Sequence, residues 1–264
     1  MHDPLFSVQN QVVLVSGASR GIGRAIAGGF AARSARVVIT GRDQQTLKQT
    51  ADEMTSTDSP VLPLVCDVAR RQDVDRVVHR VISEFGRIDT LVNVAGVNRR
   101  KPALDISEDD YDFVMNINLR GAFLLSQAVG RQMVRQGGGS QINVASLSTD
   151  RPLKNVAPYA MSKVALGHMT KALAMEWGPF GVRVNALAPG FILTDLTQKL
   201  WSDSTMQAWN RANTPQQRLG RPEDMIGTAI FLACPASAFM TGQILYVDGG
   251  FTSGWSWPIP EDNQ

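Results

Sequence analysis

Residues 12–23 have the sequence VVLVSGASRGIG. The first four residues form a continuous apolar, β-branched run, which predicts a buried strand. Gly17, Gly21 and Gly23 follow, and the last two open a helical pattern that extends to Arg33. Glycine permits tight turns and a close backbone approach to a ligand, while a helix N-terminus presents free N–H groups and a positive dipole to an anion. The stretch therefore predicts a pyrophosphate-binding turn between a strand and a helix. The residues expected to form it are Gly17, Ser19, Arg20, Gly21, Ile22 and Gly23.

The rest of the chain alternates short apolar runs with longer helical patterns. The further predicted strands lie at 36–40, 61–65, 88–92, 141–144, 182–187 and 244–247. The further predicted helices lie at 44–54, 72–85, 109–136 (broken by Gly121), 157–177 and 223–232. Such alternation predicts a parallel sheet covered by helices on both faces, and continuously apolar strands agree with it. With no internal repeat or linker, we expect one α/β domain over residues 1–264, a doubly wound Rossmann sheet of about seven strands.

One long stretch, residues 190–220, lacks a clear period and is rich in Thr, Gln, Asn and Trp. Long irregular stretches in a compact domain are usually functional or mobile. Because this one follows the end of a predicted strand, we expect a substrate lid that contains short helices.

Composition excludes several classes of function. The chain has 264 residues, is 44% apolar and carries a formal net charge of +2, so nothing attracts it as a whole to nucleic acid or a membrane. The N-terminus lacks the apolar region of a signal peptide, and no run approaches the roughly 18 apolar residues of a membrane span. Cys66 and Cys234 are far apart and lack metal-site spacing. We expect a cytoplasmic protein that binds no metal, nucleic acid or membrane.

The end of the second predicted strand indicates which nicotinamide cofactor is used. An acidic residue there binds the ribose 2′-hydroxyl of NAD, whereas Arg accommodates the 2′-phosphate of NADP. Gly41 stands where the acid would be expected, Arg42 follows it, and Arg20 projects from the glycine turn. Two guanidinium groups suit one phosphate, so we predict NADP(H). Two alternatives stay open: Asp43 could pair with Arg42, or both arginines could be ordinary surface residues.

Tyr159 and Lys163 form the candidate catalytic pair. Their i, i+4 spacing places them on one helical face. A tyrosine pKa of about 10 is high for acid/base work at neutral pH, and a nearby ammonium lowers it. Ser146 follows the strand at 141–144, and ligands bind at strand ends in such sheets. The pattern predicts Tyr159 as acid/base, Lys163 as the group that lowers its pKa, and Ser146 as the holder of the substrate oxygen; an ordinary amphipathic helix is the alternative.

Seven motifs in all are similar to those of one known family. They are Gly17-x-x-x-Gly21-x-Gly23, Cys66-Asp67-Val68, Asn93-Val94-Ala95-Gly96, Asn118-Leu119-Arg120-Gly121, Ser146 with Tyr159 and Lys163, Pro189-Gly190-x-x-x-Thr194, and Val247-Asp248-Gly249-Gly250. Over essentially its full length the chain resembles the short-chain dehydrogenase/reductase family, in the branch of gluconate 5-dehydrogenases and 3-oxoacyl reductases. One departure is Val94, where the family has a second Asn.

The resemblance implies roles for these residues. Asp67 and Val68 would lie at the adenine, and Lys163 would hold the nicotinamide ribose beside Tyr159. Asn118 would bind a water that relays protons to Lys163. The loop residues that would border the ribose are Asn93, Ala95 and Gly96. Those that would receive the nicotinamide carboxamide are Pro189, Gly190, Ile192 and Thr194.

The implied function is an NADP(H)-dependent oxidoreductase that interconverts a secondary alcohol and a ketone. Enoyl reductases of the family space Tyr and Lys more widely, so the spacing here favours carbonyl chemistry. The basic stretch 98–102, with Arg151 and Lys154, favours a sugar acid, polyol or similar oxygenated small molecule; a solvated surface cluster or a subunit contact is the alternative for 98–102. Aromatic and apolar side chains of the predicted lid would suit an apolar ketone or a 3-oxoacyl thioester instead. Those side chains are Phe191, Leu196, Trp201, Met206 and Trp209. From a different class, a non-catalytic NADP(H)-binding protein is the remote alternative.

The family resemblance also implies self-association. Family members assemble through the long helix and the helix that carries the catalytic Tyr, so we expect a homotetramer of D2 symmetry, or else a dimer. The tail that holds Trp255 and Trp257 could reach a neighbouring subunit, or it could be a frayed terminus.

Overall fold

The structure is a computed structural model that describes residues 3–55, 60–195 and 197–255. Within this part of the chain, seven strands form one sheet in the order β3-β2-β1-β4-β5-β6-β7. Every neighbouring pair is parallel. The strands are β1 Val12–Ser16, β2 Arg36–Gly41, β3 Leu62–Val65, β4 Thr90–Asn93, β5 Gly139–Val144, β6 Val182–Pro189 and β7 Ile244–Val247. The predicted seven-stranded parallel sheet is confirmed.

Helices cover both faces of the sheet. They are α1 Gly21–Ala31, α2 Gln44–Met54, α3 Arg71–Phe85, α4 Glu108–Met115, α5 Ala122–Arg135, α6 Ala157–Trp177, α7 Gln198–Trp201, α8 Ser204–Asn213 and α9 Ile226–Ala233. One apolar cluster joins α1, α2 and α9 to the sheet, and a second joins α3, α5 and α6 to the opposite face. The chain is therefore doubly wound, as predicted.

The order of the strands locates the site. The first three strands run outward from β1 in one direction, and β4 to β7 run outward in the other. In sheets of this kind a crevice opens at the carboxyl ends of the strands where the order reverses, here between β1 and β4. The glycine turn follows β1 and the Asn93 loop follows β4, so both predicted motifs lie at this crevice.

The helix predicted over 109–136 is the main local difference. The structure has α4 and α5 joined by a π-helical turn, Asn116–Gly121. A Cβ added to Gly121 would lie 2.8 Å from Cγ2 of Val68, so the break at Gly121 lets the loop after β3 approach the helix closely. Such π turns occur frequently at functional sites.

The 190–220 segment contains two short helices, α7 and α8. An isolated bridge between Ile192 and Gly220 joins its two ends. Among the described residues, no helix is long and apolar enough to cross a membrane.

Candidate active site

The glycine turn forms a cradle that side chains would fill. Gly17 and Gly21 have φ angles of +65° and +55°, which L-residues with a Cβ rarely adopt. A Cβ on Gly17 would lie 2.7 Å from Cα of Ala95, and one on Gly23 would lie 2.4 Å from the Gly17 carbonyl oxygen. Thr194 comes over the same turn, with its Cγ2 3.6 Å from the Cβ position of Gly21. Bare backbone thus surrounds the N-terminus of α1, as pyrophosphate binding requires.

Asp43 does not compete for Arg42. Its carboxylate accepts a hydrogen bond of 2.7 Å from the backbone N–H of Thr46 and caps α2. The side-chain and backbone hydrogen bonds from Thr46 hold the pKa of Asp43 below its ordinary value. Arg20 and Arg42 are both exposed, and neither forms an ion pair or side-chain hydrogen bond within the described part of the chain. The pairing left open by the sequence is therefore absent here.

The structure brings Ser146, Tyr159 and Lys163 together at the crevice. Ser146 is 7% exposed and caps a single 3-10 turn after β5, where its hydroxyl accepts from the Ser148 N–H at 3.1 Å. It also hydrogen-bonds to Tyr159 on α6. Lys163 is 4% exposed, and its Nζ donates to the Val144 carbonyl at 2.7 Å. Gly96 lies close by, since a Cβ there would be 3.7 Å from that Nζ.

Burial shifts the pKa values of Tyr159 and Lys163. Burial raises the pKa of Tyr159, and the hydrogen bond with Ser146 only opposes that shift. Burial also lowers the pKa of Lys163 to about 8. The Lys163 ammonium lies 5.6 Å from the Tyr159 ring centroid and donates to the Val144 carbonyl; that Lys163 lowers the pKa of Tyr159 stays a prediction. Tyr159 is therefore a protonated phenol at neutral pH, which is the form that donates a proton.

Asn118 lies in the π turn and is 1% exposed. Its amide oxygen accepts from the Val97 N–H at 2.8 Å. Its amide nitrogen donates to the Val97 carbonyl at 2.9 Å and to Oγ of Ser162 at 3.1 Å. Both amide donors are used inside the protein, so this side chain joins the π turn to α6 directly beside Lys163.

Asn93 and Ala95 hold β4 and the loop after it in place by hydrogen bonds and packing. Asn93 is buried and donates to Ser126 Oγ and Asn143 Oδ1, each at 2.9 Å. Ala95 packs its Cα against Gly17 and donates its backbone N–H to Oγ of Ser16 at 3.3 Å. Asn93 therefore acts on the site by bracing the central sheet.

The remaining predicted cofactor residues lie at the two ends of the crevice. Asp67 and Val68 follow β3, and the neighbouring Cys66 N–H bonds to the Gly41 carbonyl at 2.9 Å, which places this segment beside Arg42. At the other end, the Gly190 N–H bonds to the Val247 carbonyl at 3.0 Å as the chain leaves β6 at Pro189. Ile192 is buried in the core, so it presents backbone rather than side chain to the crevice.

The basic stretch after the Asn93 loop is partly neutralised. Lys101 Nζ lies 2.6 Å and Arg99 Nε 3.7 Å from the Asp110 carboxylate. The Arg99 guanidinium also lies over the Phe113 ring. Arg100 forms no ion pair with any residue that the structure describes, so the stretch offers less free positive charge than its sequence indicates. Among the residues that the structure describes, no group of His, Cys, Asp or Glu side chains is arranged to bind a metal ion.

The sequence did not indicate the contacts of residues 248–255. Phe251 packs against Phe191, and Arg151 bonds to the backbone of Thr252 and faces the ring of Trp255. Unusual aromatic content was the only available signal, because these partners are far apart along the chain. Leu196 and Trp257, named above for the lid and the tail, lie outside the described residues.

Comparison with known proteins agrees with this geometry. Residues 17–252 match the family described as Enoyl-(Acyl carrier protein) reductase. The chain is 37% identical to gluconate 5-dehydrogenase of Gluconobacter oxydans, over 95% of this chain and 98% of that protein. It is 38% identical to D-threitol dehydrogenase of Mycolicibacterium smegmatis, over 94% and 95%. The crystal structure of a gluconate 5-dehydrogenase from Burkholderia cenocepacia, in complex with NADP and tartrate, superimposes with a TM-score of 0.92 at 36% identity, covering 95% and 98% of the two chains. The chain belongs to the short-chain dehydrogenase/reductase family.

Proposed function

We propose that the chain is an NADP(H)-dependent oxidoreductase that interconverts a secondary alcohol and a ketone on a sugar acid, polyol or similar oxygenated small molecule. The observation that carries the proposal is the meeting of Ser146, Tyr159 and Lys163 beside the glycine cradle. The named relatives support it, since they are dehydrogenases of gluconate and of threitol.

The residues present fit a phosphorylated dinucleotide. The cradle of Gly17 and Gly23 excludes side chains and so leaves backbone N–H groups for a pyrophosphate. Arg20 and Arg42, which have no partner among the residues that the structure describes, offer guanidinium groups for a 2′-phosphate. When bound, the nicotinamide cofactor supplies or accepts the hydride. Asp67, Val68, Gly96 and Thr194 stay proposed contacts.

The chemistry of the chain itself is proton transfer and orientation. Tyr159, kept protonated by burial, donates its proton to the ketone oxygen in reduction and takes it back in oxidation. Ser146 holds the same oxygen by its hydroxyl. Lys163 keeps two of its three donors for the ribose, because Val144 takes one. Asn118 holds Val97 and Ser162 in place beside them.

An acyl-thioester reductase is the second candidate. The aromatic rings of Phe191, Trp209 and Phe251 pack together where the 190–220 segment meets residues 248–255, and they favour an apolar substrate portion. Turnover of acetoacetyl thioesters with none of 5-ketogluconate, gluconate or threitol would replace the leading proposal by this one.

The test combines cofactor titration with a substrate panel. NADPH should bind more tightly than NADH, and 5-ketogluconate or a related ketose acid should be reduced. The Tyr159→Phe variant should lose about 10²-fold or more of kcat, since positioned acid catalysis contributes that much. Tyr111→Phe, which removes an exposed hydroxyl, is the matched control and should keep full activity. Full activity of the Tyr159→Phe variant would overturn the acid/base role of Tyr159, whereas NADPH binding without turnover of any substrate would leave a non-catalytic, NADP(H)-binding protein.

Assembly and location belong to the same proposal. We infer one domain with the 190–220 segment as a substrate lid, in a cytoplasmic homotetramer of D2 symmetry. Phe123 of α5, Val164 of α6 and Phe180 in the turn after α6 are exposed, and a cavity of about 590 Å³ lies between the two helices. A second copy would cover this face. A monomer by light scattering at micromolar concentration would contradict the inference.

A further inference from the structure

The segment Asp248–Trp255 follows β7, and we name it the C-terminal turn. The Asp248 carboxylate holds it together from within. This carboxylate accepts from the Gly250 N–H at 2.9 Å, from the Thr252 N–H at 2.8 Å and from the Thr252 hydroxyl at 2.7 Å. Three hydrogen bonds to one charged acceptor hold the turn together as a unit.

The end of the 190–220 segment packs directly on this turn. The Gln216 N–H donates to the Gly249 carbonyl at 3.1 Å. A Cβ on Gly249 would lie 2.9 Å from Cγ2 of Thr214, and one on Gly250 would lie 2.9 Å from Cγ of Pro215. The backbone of Gly249 and Gly250 therefore contacts the 190–220 segment directly. A side chain at either glycine would push the segment away.

Phe251 makes the second contact with the segment. Its ring centroid lies 4.8 Å from that of Phe191 and 5.9 Å from that of Trp209. Phe191 meets its aromatic partners edge to face, at 5.3 Å from Trp201 and 5.5 Å from Trp209. A cavity of about 540 Å³ is lined by both the segment and the turn, with Asn210 and Gln216 on the one and Asp248 on the other.

Arg151 links the C-terminal turn to the loop that follows β5. Its Nη2 donates to the Thr252 carbonyl at 3.3 Å, and its Cζ lies 5.0 Å from the centre of the Trp255 ring. The Arg151 N–H in turn bonds to the Leu147 carbonyl at 2.9 Å, within the short turn that Ser146 caps. The loop of the catalytic serine and the 190–220 segment are thus attached to one element.

We propose that Arg151 and Phe251 are positioning residues for substrate binding. Through the C-terminal turn they keep the 190–220 segment and the Ser146 loop in register, and this register sets the KM for the substrate. Neither side chain takes part in proton transfer, since both act on the turn and its neighbours. The inference rests on the proposed function, in which the segment closes over a substrate beside Ser146.

Steady-state kinetics of four variants test the proposal. Arg151→Met and Phe251→Ala should each raise KM about tenfold while kcat stays within about threefold, because misplaced binding groups cost affinity without changing the chemistry. Arg151→Lys should recover part of the loss, since an ammonium can still donate to Thr252. The double variant should be no worse than about the poorer single one, because both act through one turn. Arg80→Met removes a surface ion pair with Glu84 on α3 and is the matched control.

Tryptic cleavage provides a second measurement that needs no turnover. Lys199 and Arg211 lie in the 190–220 segment, and cleavage there should be severalfold faster, by about fivefold, in the Arg151→Met variant than in the wild type or the Arg80→Met variant. Trp255→Ala removes a largely exposed ring, so it tests the same contact should Arg151→Met not fold, and about a threefold rise in KM is expected.

The outcomes separate the two proposals. A wild type that turns over no carbonyl substrate, with faster cleavage of the Arg151→Met variant, would overturn the function and leave the positioning intact. An active wild type whose Arg151→Met variant matches Arg80→Met in KM and in cleavage would overturn the positioning alone. A fall in kcat at unchanged KM, or fully additive effects in the double variant, would also overturn it.

Discussion

Lys163 donates a hydrogen bond of 2.7 Å from Nζ to the carbonyl oxygen of Val144 at the end of β5. One of three ammonium donors is thereby fixed, and the group is aimed from α6 into the crevice. The price of this arrangement is desolvation, because burial lowers the pKa of Lys163 to about 8. Burial shifts the two groups in opposite directions, since it lowers the pKa of Lys163 and raises that of Tyr159.

These shifts predict the pH dependence of ketone reduction. The pKa of Lys163 is about 8, so this side chain is mostly charged below that pH and mostly neutral above it. Burial raises the pKa of Tyr159, so its phenol stays protonated as Lys163 loses its charge. The value of kcat/KM, which reports groups of the free enzyme, should therefore fall as pH rises through about 8, because the charged form of Lys163 is lost. A profile that stays level to pH 10 would contradict this assignment. Lys163→Met should lower activity at pH 7 and abolish the falling limb near 8.

Gly17 and Gly86 permit a matched test of the cradle. Both have positive φ, +65° and +76°. A Cβ on Gly17 would meet Ala95 at 2.7 Å, whereas one on Gly86 would meet nothing within 4 Å. Gly86→Ala should cost only the backbone strain, about 1–2 kcal/mol of unfolding free energy, and leave NADPH affinity unchanged. Gly17→Ala should lower the Tm further and weaken NADPH binding at least about tenfold, because the loop after β4 must move. Calorimetry and cofactor titration of both variants decide the point; equal affinities would show that the cradle tolerates a methyl group.

The fold could be predicted from sequence because its signals are local. Apolar runs of strand length alternate with helical periods, and Gly17, Gly21 and Gly23 mark the turn between β1 and α1. The N-cap role of Asp43 could also have been predicted, since Asp before a helical pattern is a common N-cap. That prediction would have argued against a pairing of Asp43 with Arg42. The π turn around Asn118 could not be predicted, because the sequence pattern there is helical apart from Gly121 and the close approach of Gly121 to Val68 joins separate elements.

The electrostatics and the outer wall of the site could not be predicted in the same way. The direction of the Tyr159 pKa depends on how deeply α6 is buried, and that is decided by tertiary packing rather than by the Tyr-Lys spacing. The pairing of Arg99 and Lys101 with the single carboxylate of Asp110 likewise joins separate segments, so the basic stretch is partly compensated in the structure. Phe191 and Phe251 are sixty residues apart in the sequence, so no local pattern predicts their contact.

Arg42 should determine the preference for NADPH over NADH. Arg42→Gln removes a free guanidinium, and a hydrogen bond to a charged group contributes about 1.5–3 kcal/mol. NADPH affinity should therefore fall about tenfold to a hundredfold, with NADH affinity unchanged, because NADH lacks the 2′-phosphate. Arg70→Gln, at an exposed arginine beside Asp67, is the control for a general loss of positive charge. Equal weakening of both cofactors would show that Arg42 acts on the fold rather than on the phosphate.

Asn118 should act on Lys163 through α6 rather than as a proton carrier. Asn118→Ala leaves the Val97 N–H and carbonyl without their partner, and each unsatisfied buried group costs about 1–3 kcal/mol. The Tm should fall, and kcat should fall because Ser162 and Lys163 lose a fixed neighbour. Asn118→Ser keeps a short hydrogen-bonding side chain, but it cannot span from Val97 to Ser162, so it should recover stability only in part. The deciding measurement is the pH profile. If Asn118 positions Lys163, the falling limb near pH 8 should shift or broaden in the Asn118→Ala variant, whereas a purely structural loss would lower the whole profile without moving that limb.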